Sequence, residues 1–149
     1  MKKLYILGTR GLPAKHGGFE TFCENLSLYL IAQGWTVTVY CQENGTGPIT
    51  ETVWRGVNLV HIPIQNTGAL GTILFDWKAA SHALSQTGLF LTLGYNTAIF
   101  NVMQRVKGQT NIINMDGIEW RRDKWSKLAK TWFWLNERVA CWIGNHLVA

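Results

Sequence analysis

The sequence predicts a doubly wound α/β domain, a mostly parallel sheet with helices on both faces. Three observations lead there. Short apolar runs rich in β-branched or large apolar residues, such as Leu4–Leu7, Trp35–Cys41 and Leu89–Leu93, alternate with longer stretches whose apolar residues recur every three or four positions. Glycines punctuate the exchanges between the two patterns, at Gly8, Gly34 and Gly88. Strands separated by a helix lie parallel with a right-handed crossover, and a parallel sheet needs cover on both faces.

Taken in order, Leu4–Leu7 is the first strand. Phe19, Phe22, Cys23, Leu26 and Leu30 then keep helical spacing until Gln33-Gly34 ends the pattern, and Trp35–Cys41 completes a βαβ unit. Glycine, proline and polar residues over 42–50 form a loop, and Glu51–Arg55 with Val57–Ile64 form a hairpin around Arg55-Gly56. Over Leu70–Gln86, Leu70, Ile73, Leu74, Trp77, Ala80 and Leu84 make one apolar stripe ahead of the strand Leu89–Leu93. A helix over Asn96–Lys107, opened by Asn96 or Thr97 as N-cap, leads to the strand Asn111–Met115. Trp125, Leu128, Trp132, Leu135, Val139 and Trp142 step by three and four, which predicts a long Trp-rich helix over 123–143. His146–Ala149 begins a further strand with no helix after it, as the first half of a larger protein would show.

Composition bounds the rest. The chain has 149 residues, 47% hydrophobic and 15% charged, enough apolar material for one full core and too little charge for a disordered tail. Its net charge of +5 suits phosphate-bearing or other anionic partners without identifying one. Cys23, Cys41 and Cys141 are odd in number and widely spaced, which argues against a disulfide framework or a zinc cluster and fits a reducing cytosol. The apolar run after Met1-Lys2-Lys3 is too short for a signal peptide, and nowhere do about 18 apolar residues run unbroken. His61 and His82 lack ligand spacing, so no metal site is expected, and no nucleic-acid reader motif is present.

In open parallel sheets ligands bind beyond the carboxyl ends of the strands, which directs attention to four segments: 8–18, 65–71, 94–96 and 116–122. The first, from Gly8 to Glu20, is neither GxGxxG nor GxxxxGK[ST]. Gly17-Gly18 nevertheless opens a helix, where free N–H groups and the helix dipole favour an anion, and Arg10, Lys15 or His16 could add positive charge. The same glycines also serve a tight strand-to-helix connection, and composition leaves both readings open. The segment from Asn114 to Arg122 sets Asp116, Glu119, Trp120, Arg121 and Arg122 just after a strand. Carboxylates hold hydroxyls or take their protons, an indole packs on the C–H face of a sugar, and arginines clamp phosphate. Asp116-Gly117 reads equally as a turn, and Glu119 as a solvated helix-start residue. The Trp-rich helix carries Lys124, Lys127, Lys130 and Arg138 beside its indoles, as an anionic membrane surface would favour. Its spacing is also that of any core-facing helix, and burial is the favoured reading, with Phe133 and Trp134 the residues placed to touch lipid.

Three stretches, Gly8–Phe22, Leu93-Gly94-Tyr95 and Met115–Trp125, closely resemble the N-terminal domain of rhamnosyltransferase-like enzymes (the DUF1972 group) within glycosyltransferase family 4, and the likeness covers essentially all 149 residues. The resemblance implies a GT-B enzyme of two Rossmann-like domains, with residues 1–149 forming the acceptor-side domain and a C-terminal donor-binding domain absent from this chain. It implies transfer of a sugar, rhamnose from a dTDP donor, to a polysaccharide or lipid-linked acceptor, with no metal or other cofactor. By motif, Arg10, Gly11, Gly17 and Gly18 face the donor diphosphate, and Asp116 lies near the acceptor hydroxyl as base or anchor. Tyr95, Asn96, Glu119, Trp120 and Arg121 line the acceptor side. Many family 4 enzymes carry a histidine where Asp116 stands, which leaves its role open between these two. The location implied is cytoplasmic, at the inner face of the plasma membrane, and the fragment alone should be inactive. The alternative is a stand-alone nucleotide- or anion-binding module without catalysis.

Overall fold

The computed structural model describes residues 1–15 and 17–149, so the charge expected from His16 lies outside the described residues. Among them are seven strands in one sheet: β1 (Lys3–Leu7), β2 (Thr36–Asn44), β3 (Thr50–Trp54), β4 (Val57–Ile64), β5 (Leu89–Leu93), β6 (Thr110–Asn114) and β7 (His146–Val148). The α-helices are α1 (Gly17–Ala32), α2 (Gly68–Ala83), α3 (Val102–Val106) and α4 (Lys127–Ile143). The strand order is β3-β4-β2-β1-β5-β6-β7, every pair parallel except the β3–β4 hairpin.

Alternation along β1 explains the layering. Leu4 and Ile6 join one buried cluster with Val37, Val39 and Leu91, which α1 covers through Cys23. Tyr5 and Leu7 join the cluster on the other side with Tyr40, Ile62 and Phe90, which α2 covers through Phe75, Ala79 and Ala83. On that second face the cover continues over β6, where Ile113 packs against Ala140 and Ile143 of α4. Helices therefore lie on both faces, as the alternating pattern required.

Several local expectations are corrected. β2 runs on to Asn44, because its polar end Gln42-Glu43-Asn44 pairs with Ile62-Pro63-Ile64 of β4; backbone pairing outweighs side-chain polarity there. The face that α2 buries is Gly71, Phe75, Ala79, Ala80 and Ala83, while Leu70 and Trp77 are exposed. Gly71 is held to glycine by the loop that enters the helix: a Cβ there would lie 2.2 Å from the Asn66 carbonyl oxygen. The helix expected over 96–107 is a 3-10 turn, Ala98–Asn101, followed by the short α3, and Thr97 gives its hydroxyl to Asp76 instead of capping. α4 begins only at Lys127, where the Ser126 hydroxyl accepts from the Ala129 N–H. Its buried positions are Asn136, Ala140 and Ile143, and the expected core stripe is split: Leu128, Leu135 and Trp142 are exposed, whereas Trp125, Trp132 and Val139 are half-buried, Val139 against the core. Asn136 can be buried because both polar atoms of its amide are partnered, Oδ1 accepting from the Ile99 N–H and Nδ2 donating to the Trp132 carbonyl.

The connections set the site. From β1 the chain steps through α1 to β2 on one side, whereas from β4 it returns through α2 on the opposite face to β5, on the other side of β1. The reversal falls between β1 and β5, and it opens a crevice at their carboxyl ends.

Candidate functional site

Two adjoining hollows of about 320 and 420 Å³ occupy that crevice, sharing Arg10, Glu20, Gln42 and Thr72 in their walls. The inner one lies over the ends of β1 and β5, against Gly8, Thr92 and Gly94; the outer one extends toward Lys15, Asn44 and Asn66. Segments 8–18, 65–71 and 94–96 thus meet at one edge of the sheet.

The loop after β1 is held from within. Its Arg10 N–H donates to Glu20 Oε1 at 3.2 Å and its Ala14 N–H to Glu24 Oε2 at 2.7 Å, so two carboxylates of α1 already occupy main-chain donors of the loop. The four glycines also differ in purpose. Gly8 has φ +81° and a Cβ there would lie 2.4 Å from the Leu93 carbonyl oxygen; Gly11 has φ +123° and lies against Cys41. Gly17 has φ +74° with Glu20 beside it, whereas Gly18 faces open space and has no structural need to lack a side chain. Of the residues expected at a diphosphate, Arg10 lines both hollows and Gly11 the outer one, while Gly17 and Gly18 sit exposed at the helix start. Burial pushes the Cys41 thiol up to about 11 and Cys23 to about 12, leaving both protonated packing groups.

The segment after β6 is built differently from its sequence reading. Asp116 is exposed and stands at the end of β6, one strand beyond β5 and roughly 10 Å from β1 by the usual strand spacing. Tyr95, expected to contact an acceptor, is only 1% exposed; its hydroxyl donates to the Gly117 carbonyl and accepts from the Glu119 N–H. Burial raises the pKa of that phenol, which stays protonated. Glu119 is buried as well, its carboxylate accepting from Arg122 Nη1 and Trp125 Nε1, both at 3.0 Å. Trp120 Nε1 donates to Glu137 of α4, and the Arg121 guanidinium stacks 5.1 Å from the Trp120 ring centre. Tyr95, Glu119 and Trp120 brace the loop, and of the residues expected at the acceptor side Asp116, Asn96 and Arg121 are the exposed ones.

A third feature is an apolar groove of about 620 Å³ between α2 and α4, walled by Ile73, Trp125, Leu128, Trp132, Phe133 and Leu135. It opens onto the inner hollow, because Thr72, Asn96 and Thr97 line both. Among the described residues no helix is long and apolar enough to cross a membrane.

Sequence reasoning missed Asp76. It sits in the third turn of α2, where a single acid between Phe75 and Trp77 reads as part of a wet helix face. In the structure it lines the inner hollow, and burial, opposed by the Thr97 hydrogen bond, lifts its carboxyl from 3.8 to about 6. Only the partner Thr97, distant in sequence, reveals its direction.

Among solved structures the chain is similar to "Trehalose-6-phosphate from E. coli bound with UDP-2-fluoro glucose", with a TM-score of 0.52 and 10% identity. The likeness covers 76% of this chain but 33% of that one, so the 149 residues span about a third of the protein they resemble, and at this identity the similarity is one of fold. No curated protein matches the sequence. The model of a domain of unknown function, DUF1972, matches residues 1–148, and with practically its whole length accounted for, the chain belongs to that family.

Proposed function

We propose that the chain is the acceptor-side domain of a GT-B glycosyltransferase, catalytically incomplete without a second domain that holds the donor. The observation that carries this reading is the position of the hollows: a polar crevice at the β1/β5 reversal, where nucleotide- and sugar-binding α/β folds place their ligands. The fold it shares with a protein whose structure was solved bound to UDP-2-fluoro glucose supports a nucleotide-sugar as donor. Rhamnose from a dTDP donor, and a family 4 mechanism, extend the motif resemblance described above. Arg10 and Lys15, with the open backbone at Gly18, would meet the diphosphate as it is presented across the crevice, and Asp116 and Asn96 would meet the acceptor from the β5–β6 side.

Because Glu20 and Glu24 already hold loop N–H groups, the loop alone is a poor diphosphate cradle, which disfavours a stand-alone anion module. Incubating the 149-residue chain, and a longer protein containing it, with dTDP-rhamnose or UDP-glucose and measuring nucleoside diphosphate release tests the reading. Turnover confined to the longer protein supports it. Turnover by the short chain contradicts the division of labour, and no donor binding by either contradicts a transferase.

A second surface reading accompanies the first. Leu128, Leu135, Trp134 and Trp142 are exposed on α4 beside Lys127, Lys130 and Arg138, and the apolar groove joins the polar crevice at Asn96. Such a face suits docking at the cytoplasmic side of an anionic membrane, with a lipid-linked saccharide as acceptor.

A further inference from the structure

Asp76 stands apart from the motif residues, yet it lines the inner hollow of the crevice. Its side chain reaches the inner hollow between the carboxyl ends of β1 and β5, beside Gly8, Thr92 and Gly94. Oδ2 accepts from the Thr97 hydroxyl at 2.7 Å, which is its one hydrogen bond among the described residues, and no salt bridge reaches it there. A carboxylate can accept about four hydrogen bonds, so most of its capacity is unspent. Asparagine would satisfy Thr97 with no charge to desolvate; as a structural brace alone, the acid is the costlier choice.

The ionised groups around it narrow the ligand class. Arg10 is the cationic side chain lining the inner hollow and Glu20 the other acidic one. A diphosphate would meet Asp76 and Glu20 together, with only Arg10 to offset them among the described residues. An uncharged polyhydroxyl ligand meets acceptors that it can use, and a cavity of about 320 Å³ accommodates a sugar ring.

We propose that Asp76 is a saccharide-binding residue, its unpaired carboxylate oxygen accepting a hydrogen bond from a sugar hydroxyl seated over the ends of β1 and β5. This rests on the transferase reading of the crevice and names the group that grips the sugar. A carboxylate held in a poorly solvated hollow is a strong acceptor, because little hydration is lost when the hydroxyl arrives.

Nuclear magnetic resonance titration of the chain with methyl α-L-rhamnoside, and separately with methyl α-D-glucoside, tests it. At least one glycoside should give saturable shifts at the Gly8, Thr92 and Gly94 amides and at the Asp76 carboxyl carbon, and should lower the titration midpoint of that carboxyl. Asp76→Asn should weaken this binding by about tenfold or more while leaving the amide spectrum folded and the Tm at neutral pH no lower. Shifts at those amides with affinity unchanged in Asp76→Asn would overturn the assignment while leaving the sugar crevice standing. A loss of binding accompanied by a lowered Tm would overturn it in favour of a structural acid. Shifts elsewhere, or no saturable binding of either glycoside in the millimolar range, would overturn it together with the reading beneath it.

Discussion

At the residue scale the loop after β1 separates what glycine does for the fold from what it could do for a ligand. Gly8 combines a left-handed φ with a 2.4 Å approach to the Leu93 carbonyl, so Gly8→Ala should destabilise by at least about 2 kcal/mol in urea unfolding. Gly18 has neither constraint, and Gly18→Ala should leave stability unchanged or raise it by about 0.5 kcal/mol. A loss of donor affinity in Gly18→Ala of the longer protein, with Tm intact, would locate the diphosphate at this helix start. Asp76 gives a pH signature. Its folded carboxyl, at about 6, lies above the ordinary 3.8, so the folded state binds the extra proton between those values. Its contribution to stability is therefore most favourable below about pH 4 and declines as pH rises to about 6, by on the order of 3 kcal/mol. Asp76→Asn should remove that decline and be the more stable protein at pH 7, measured as the difference between the two unfolding curves. The motif glycines are legible in the sequence as punctuation, but which of them is structural is not: φ and the distance to Leu93 depend on a strand more than eighty residues away.

At the element scale, α2 and α4 each bring only part of the expected stripe inward, Leu74 and Ala80 in α2 and Val139 in α4. Periodicity located each helix to within a few residues but favoured its largest apolar side chains, Leu70 and Trp77 in one, Leu128 and Trp142 in the other. The buried faces are instead built around small residues, Gly71, Ala79 and Ala80 beside Phe75 in α2 and Ala140 beside Ile143 in α4, which a ranking by side-chain size and hydrophobicity passes over. What remains outside on α4 is an apolar and basic surface. Flotation with anionic vesicles should recover the chain, recovery should fall as salt rises, and Trp134→Ala with Leu135→Ser should reduce it several-fold. Flotation unchanged in the double variant would reject this face as the docking surface. Ser126→Ala, which removes the hydroxyl accepting from Ala129, should lower stability by about 1 kcal/mol and leave flotation untouched.

At the scale of the whole molecule, the alternation of strands and helices was readable from the chain, and so was the shared edge where the βα loops converge. The strand order was not, because it depends on which side of β1 each crossover lands, and the crevice at the reversal follows from that choice. The central strands β1, β2 and β5 are buried from both faces while β3 and β7 are exposed edges. Amide exchange should therefore be slowest in the first group and fastest in β7, whose three residues pair on one side only. Across this edge the Tyr95 hydroxyl bonds both Gly117 and Glu119. One oxygen thereby rivets the turn after β5 to the turn after β6, so neither can shift alone. A ligand displacing Asn96 would carry Asp116 with it, and Tyr95→Phe, by drawing that rivet, would let the two turns respond separately.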